Sequence, residues 1–420
     1  MLKLKLILES WKYPSILLLG IGVSNLGAWV YLIALNLIVF DMTGSPLAVA
    51  ALYILIPLAT LATNFWSGSM IDRLNTRNLM IVLDMFRALC IFSLPWLLDL
   101  SIWFMYIMVF IINMATSMFG PASMVYMTKL IPYEQRKKFN SLRSLIDSGA
   151  FLLGPALAGV LFIMGTPLLA IIMNAIALFL SGLITFLMPN VDISSQPSNK
   201  GEKLSLPLLK KDFQVVMHFS KKSVYIILIY FLFSSVMVMT AAVDSLEAAF
   251  AKEVLHLSDS DYGFLVSMAG AGIVVGAVIN TVFIKKITTS FLIGLGSTCV
   301  SIGYIIYAFS NSFLMAAAGF FILAFFLAFA NTGFLTFYQN NIPIDVMGRI
   351  GSLYGLVEAG LIIITTGMMG LIAQVISIQF ALIAGAVIML SISVTLSAFT
   401  FQPSKSAYYQ PTTLNKIELN

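Results

Sequence analysis

Charge is what this sequence has least of. Asp, Glu, Lys and Arg make up only 10% of its 420 residues, where soluble globular chains carry about a quarter. Hydrophobic residues reach 60% and the mean hydropathy is +0.99, which excludes a water-soluble globular domain. The two cysteines, Cys90 and Cys299, fall inside apolar runs in different halves of the chain, so no disulfide framework is implied. His218 and His256 stand far apart without Cys or acidic residues at ligand spacing, so no metal site, cofactor site or catalytic triad follows, and an enzyme is not expected. Alternating ten-residue strands are missing, which argues against an outer-membrane barrel. The net charge of +5 comes from basic residues spread over loops with no aromatic interleaving, so it does not describe a nucleic-acid surface. The first apolar run, starting near Tyr13, has no small-residue cleavage site and outlasts a signal peptide, so none is expected.

What the chain does have is runs of about 20 apolar residues, each long enough to cross a bilayer. Twelve are readable, over approximately 14–40, 46–71, 78–98, 102–128, 140–164, 167–188, 223–247, 262–284, 289–309, 312–338, 349–374 and 378–400. An even number puts both termini on one side. Of the 23 lysines and arginines, 20 fall on the side of the N-terminus; Arg87 and Arg143 lie within spans and only Lys252 falls opposite. The positive-inside rule then places both termini in the cytoplasm of a multi-pass protein of the cell membrane. The polar stretch 190–222 reads as a cytoplasmic linker with a surface helix near 206–222. It separates a six-span half, 1–189, from a second, 223–402, and the polar tail 403–420 is expected to be disordered.

The halves look like repeats. At a constant offset of 211, Pro132 aligns with Pro343, Glu134 with Asp345, Lys138 with Arg349 and Ser141 with Ser352. Asp147 aligns with Glu358, Gly149 with Gly360 and Gly159 with Gly370. Between the second and third spans lies Gly68-Ser-Met-Ile-Asp72-Arg73-Leu-Asn75-Thr-Arg77. Its charges belong at the membrane surface, where they pair with each other or with helix ends, and Asn75 is a residue type that tolerates a left-handed turn.

This G-x-x-x-D-R-x-x-x-R pattern, at this place in a twelve-span chain, resembles the loop 2–3 signature of the major facilitator superfamily. Ser24-Asn-Leu-Gly27, Asp41-Met-Thr-Gly-Ser45, Asp84-x-x-Arg87 and Gly154-Pro155-x-x-x-Gly159 are similar to stretches of its macrolide-efflux-like branch. The last looks like the helix 5 antiporter motif of drug exporters. The resemblance implies an all-α membrane protein whose twelve transmembrane helices form two six-helix repeats, with a substrate site between them and no cofactor. It also implies export of amphipathic, drug- or macrolide-like small molecules by alternating access with proton antiport, by a functional monomer. Residues Gly68, Asp72, Arg73 and Arg77 are then a gating loop. Alternatives are an exporter of one native metabolite, such as a siderophore or lysolipid, and a non-transporting membrane sensor or scaffold. The chain has Ala28 where the branch often has an acid, and its fourth span has no arginine.

Ionisable groups inside the spans cost about 2.5–3.5 kcal/mol even on lenient insertion scales, so each needs a reason. Asp84 and Arg87 stand i, i+3 and can neutralise each other; Arg143 and Asp147 stand i, i+4. Glu358 has Tyr354 where its repeat partner has Arg143, which makes it the first candidate for proton coupling, followed by Asp147 and Asp84. Asp244 and Glu247 read as a solvated mouth at the outer end of the seventh span. The spans that line the cavity in the resembled fold offer Asn25, Asn36, Asn113, Asn331, Tyr230, Phe334 and Tyr338. Sparse amides among aromatics suit a bulky amphipathic ligand, or serve simply as interhelical hydrogen bonds.

Overall fold

The computed structural model describes residues 2–191, 206–283 and 286–410, and among them every regular element is a helix. In chain order these are α1 (Leu2–Thr43), α2 (Pro46–Arg73), α3 (Thr76–Leu100), α4 (Ile102–Leu130), α5 (Tyr133–Met164), α6 (Pro167–Phe186) and α7 (Leu206–Lys222). There follow α8 (Val224–Asp244), α9 (Glu247–Glu253), α10 (Asp259–Phe283), α11 (Thr289–Ala308), α12 (Phe313–Asn341), α13 (Ile344–Val375) and α14 (Ile378–Thr400). Twelve helices are long and apolar enough to cross a membrane, α8 and α9 sharing one span. The chain is a multi-pass helical membrane protein.

Short polar caps set the helix ends. Gly44, at φ +58°, turns the chain out of α1, and Ser45 then accepts a hydrogen bond from the Ala48 amide at 3.2 Å to start α2. Asn75 does not take the left-handed turn that its residue type allows. It is extended at φ −64° and caps α3 by accepting from the Asn78 amide at 3.0 Å, because α2 runs on to Arg73 and leaves only Leu74 and Asn75 between the helices. The ten-residue surface stretch is therefore mostly helix.

The chain resolves into two compact units, Met1–Lys200 with Ala251–Ser267, and Gly201–Phe250 with Met268–Asn420. This departs from a simple division into halves, because residues 251–267 pack with the first unit. Lys252 pairs there with Asp41 at 3.2 Å and with Asp259 at 2.5 Å. Helix α5 also crosses the start of α10 at backbone contact. A Cβ on Gly263 would stand 2.7 Å from the Gly159 nitrogen, and one on Gly159 would stand 2.9 Å from the Ser260 carbonyl.

Within the first unit α1 packs on α5 and α6, α3 on α4 and α6, and α2 on α4. Within the second, α8 packs on α13 and α14, and α11 on α12 and α14. Gly272 and Gly276 bring α10 against α12 in turn. The second set reproduces the first helix for helix. The register agrees: α5 and α13 both have 32 residues, both start after a proline, and lie at the offset of 211 that also relates α4 to α12. α14 also starts at this offset from α6, at Ile378 against Pro167, so the repeat extends over three consecutive helices.

The expected surface helix is present as α7, which lays buried Val216 and partly buried Phe219 on the second unit's core. The expectation of a disordered tail fails over Pro403–Tyr409, a 3-10 turn. Tyr409 is buried there; its hydroxyl lies 2.7 Å from that of Tyr225 and its ring stacks on Phe337. Burial pushes the Tyr409 phenol above its usual range, so it stays protonated. Residues 192–205 of the linker and 411–420 of the tail lie outside the described residues, as do the side chains of Asp72, Arg73, Glu134, Ser141 and Asp345 and the surroundings of Gly68.

Candidate functional site

The first unit holds a cavity of about 430 Å³, walled by α1, α3, α4, α5 and α6. Small-molecule sites run from about 300 to 1,000 Å³. Its lining is mainly apolar, including Leu17, Ile21, Ile112, Phe119 and Leu178, with Asn25, Tyr31, Arg87, Asn113, Arg143 and Asn174 among its polar groups.

Arg87 and Asp84 are both buried, at 6% and 0% exposure, and form an ion pair. The Ser181 hydroxyl donates to the second carboxylate oxygen of Asp84 at 2.9 Å, while the guanidinium lies 4.4 Å from the Phe119 ring centre and reaches the Thr116 hydroxyl at 3.5 Å. Both oxygens of Asp84 are thereby occupied, which is what burial of a carboxylate requires. Asp147 sits in a more open place. It accepts from the Asn25 amide at 2.6 Å and lies 3.8 Å from the Arg143 guanidinium.

In the second unit Glu358 occupies the repeat position of Asp147 and also accepts from its unit's first spanning helix, here from the Ser234 hydroxyl at 3.3 Å. No basic side chain pairs with it among the described residues. Tyr354, in the place of Arg143, instead bonds Ser220 at 2.5 Å. Its ring joins Tyr230, Phe231, Phe334 and Tyr338 in one aromatic cluster with centroid separations between 4.8 and 6.2 Å.

The structure brings some of the sequence-derived candidates together and scatters others. Asn25 and Asn113 line the first-unit cavity. Asn36 does not; it is 1% exposed and bonds the Tyr53 hydroxyl at 3.1 Å, so it serves interhelical packing. Asn331, on α12, is exposed. Gly154 lets α5 approach α1, because a Cβ there would stand 2.5 Å from that of Trp29. Arg77 bonds the Phe186 and Thr185 carbonyls and stacks on the Phe186 ring, placing its charge at the C-terminus of α6.

Asp244 and Glu247 are not the solvated mouth read from the sequence. Both are half-buried, and Asp244 accepts from the Tyr304 hydroxyl at 2.5 Å. The helix breaks between Asp244 and Glu247, and α11 supplies the phenol that closes over them. Tyr31, Asn174 and Ser181 were missed as cavity groups. Asn174 had a usable signal, since an amide deep in an otherwise apolar span needs a partner.

A helical membrane protein with an internal six-span repeat and a small-molecule cavity is a transporter by class. The family model of the Major Facilitator Superfamily matches residues 17–366, and the chain belongs to that superfamily. It is 25% identical over 338 residues to an uncharacterized MFS-type transporter, YfiS of Bacillus subtilis (strain 168), covering 78% of this chain and 79% of the relative. Among solved structures, the nucleoside transporter NupG superposes with a TM-score of 0.74 at 11% identity, over 93% of this chain and 100% of that one. A bacterial homologue of the human lysosomal transporter Spinster, inward-facing and unoccupied, gives 0.69 at 15% identity, over 95% and 98%. A bacterial homologue of the iron transporter ferroportin gives 0.67 at 18%, over 92% and 99%. At these identities the structures establish the fold alone.

Proposed function

We propose that this transporter exports amphipathic small molecules of drug- or macrolide-like size across the cytoplasmic membrane, by alternating access and in exchange for protons, acting as a monomer with both termini inside. The observation that carries the reading is the first-unit cavity: a largely apolar wall with a few amides and guanidiniums is the chemistry that an amphipathic ligand matches. Glu358 is the proposed proton carrier, because it is the embedded acid with a hydroxyl partner and no cation beside it among the described residues. A carboxyl so placed is neutral when desolvated and charged when water reaches it. The likeness of the Gly154-Pro155 element to the antiporter motif of drug exporters supports the outward direction, and Gly159 of the same stretch makes a close backbone contact with Gly263. Asp72 and Arg73, beside Arg77, complete a proposed cytoplasmic gate.

The test is accumulation in everted membrane vesicles across a panel of dyes, macrolides and siderophores, with and without a pH gradient. Gradient-dependent uptake of several amphipathic compounds is expected. Uptake of a single metabolite would narrow the reading to a dedicated exporter, and uptake of none would favour a sensor or scaffold.

A further inference from the structure

Helix α7 ends at Lys222 and α8 begins its membrane span at Val224, so only Ser223 separates them. The Ser223 amide closes the last turn of α7 on the Phe219 carbonyl at 2.8 Å. Its own carbonyl accepts from the Ile227 amide, in the first turn of α8, at 3.1 Å. The C-terminus of α7 therefore lies level with the start of a span, whose first residue, Val224, is 65% exposed. What surrounds α8 at that level is within reach of α7.

One face of α7 is taken up by protein. Val215, Val216 and Phe219 pack on the second unit's core, and the Ser220 hydroxyl bonds that of Tyr354 on α13. The next stripe around the helix is uncovered. Phe213 and Met217 stand one turn apart and are 51% and 39% exposed, and Lys221 continues the stripe by another turn. Gln214, His218 and Lys222 follow around the axis, all exposed. Neither Lys221 nor Lys222 meets a carboxylate among the described residues. Over its whole length α7 carries four lysines against one aspartate.

Cations in a last turn can serve the helix dipole alone. That accounts for Lys221 and Lys222, but not for two large apolar side chains displayed beside them, nor for Lys210 and Lys211 in mid-helix. A helix lying in a membrane interface needs all of these: apolar groups for the acyl boundary, ammonium groups for the phosphates, and a polar edge toward water. Lysine suits the place, because its stem covers apolar surface while the charge reaches the headgroups. The headgroups it favours are anionic, since Lys221 and Lys222 bring charge that no described acid cancels.

We propose that the Phe213–Met217–Lys221 stripe of α7 is a lipid-docking surface, which seats on the bilayer interface and gathers anionic phospholipid at Lys221 and Lys222. This goes beyond the transport reading and rests only on α8 as a membrane span.

The test uses the full-length protein in lipid nanodiscs, with Cys90→Ala, Cys299→Ala and one bimane-labelled cysteine. The label at Met217→Cys should emit to the blue, be quenched by doxyl-labelled lipid and be spared by iodide. At His218→Cys, on the polar edge, the pattern should reverse, and Phe213→Cys should repeat the Met217→Cys result. Doxyl-labelled phosphatidylglycerol should quench the label at Met217→Cys at least about twofold more than doxyl-labelled phosphatidylcholine at equal content. Lys221→Gln with Lys222→Gln should bring the two lipids level, as should high salt. Iodide quenching at position 217 equal to that at 218 would overturn the bilayer seat and leave the face to a soluble partner. Shielding from both quenchers would give the face to a second copy of the chain, and overturn the proposal equally. Equal quenching by the two lipids, or a preference that survives the lysine substitutions, would overturn the headgroup site.

Discussion

Asp147 and Glu358 occupy the same place in the two repeats, yet their partners differ. Asp147 has an amide at 2.6 Å and a guanidinium at 3.8 Å, while Glu358 has only a hydroxyl at 3.3 Å among the described residues. A carrier of protons must bind H⁺ on one side and release it on the other, and a fixed cation beside the carboxyl opposes binding. Glu358→Gln keeps the shape and mimics the protonated form. It should abolish uphill export while sparing substrate binding and downhill exchange, because the drive of about 2.3 kcal/mol per proton per 100 mV is no longer coupled. Counterflow beside gradient-driven uptake measures both, and uphill export by the variant would move the coupling site to Asp147 or Asp84. Asp147→Asn should do less to coupling. Asp84 is held differently again, with both oxygens bonded at 0% exposure. Asp84→Asn leaves Arg87 buried without a counter-ion, a loss of about 3–5 kcal/mol. A sharp drop in melting temperature and in folded yield is expected, and near-wild-type stability would mean that Arg87 finds another partner.

At the scale of elements, one close helix crossing is that of α5 with the start of α10. An alanine at Gly263 would put its Cβ 2.7 to 2.8 Å from the backbone of Gly159 and Pro155, so the two helices must separate. Overpacking of this kind costs about 1–3 kcal/mol. Gly263→Ala should therefore lower the melting temperature, whereas Gly360→Ala, with no neighbour within 4 Å, should leave it unchanged or raise it through helix propensity. Equal effects of the two would remove the packing argument. The elements themselves were largely legible in the sequence, since a bilayer demands long apolar runs and each run became a helix within a few residues of its expected bounds. Hydropathy measures length and cannot show what an end packs against. That is why Tyr408 and Tyr409 read as tail until Tyr225 and Phe337 covered them, and why Asp244 and Glu247 read as solvated until Tyr304 closed over them. The same blindness hid Asn174 and Tyr31, whose place in one cavity wall depends on α1 meeting α6.

At the scale of the molecule, the repeat was legible because one offset, 211, aligned a proline, acids and glycines. The packing pattern extends that symmetry beyond any residue identity. The family follows from the chain as a whole, but orientation across the membrane is carried by charges outside the spans. Twenty of the 23 basic residues fall on the side of the N-terminus, and Lys252 stands on the other, held by Asp41 and Asp259. Translocation of lysine and arginine is disfavoured, and on this asymmetry we propose that the loops that carry them lie in the cytoplasm. A single cysteine at Asn199, in the linker, should then react with a membrane-impermeant maleimide only after the cells are permeabilised. One at Ser258, exposed ahead of α10, should react in intact cells. Cys90 is buried and Cys299 partly so, and both need replacement by alanine to remove background labelling. Labelling at Asn199 in intact cells, with protection at Ser258, would invert the molecule. The proposed Gly68–Arg77 gate would then face outward, and a proton carried by Glu358 under that proposal would drive transport in the opposite sense.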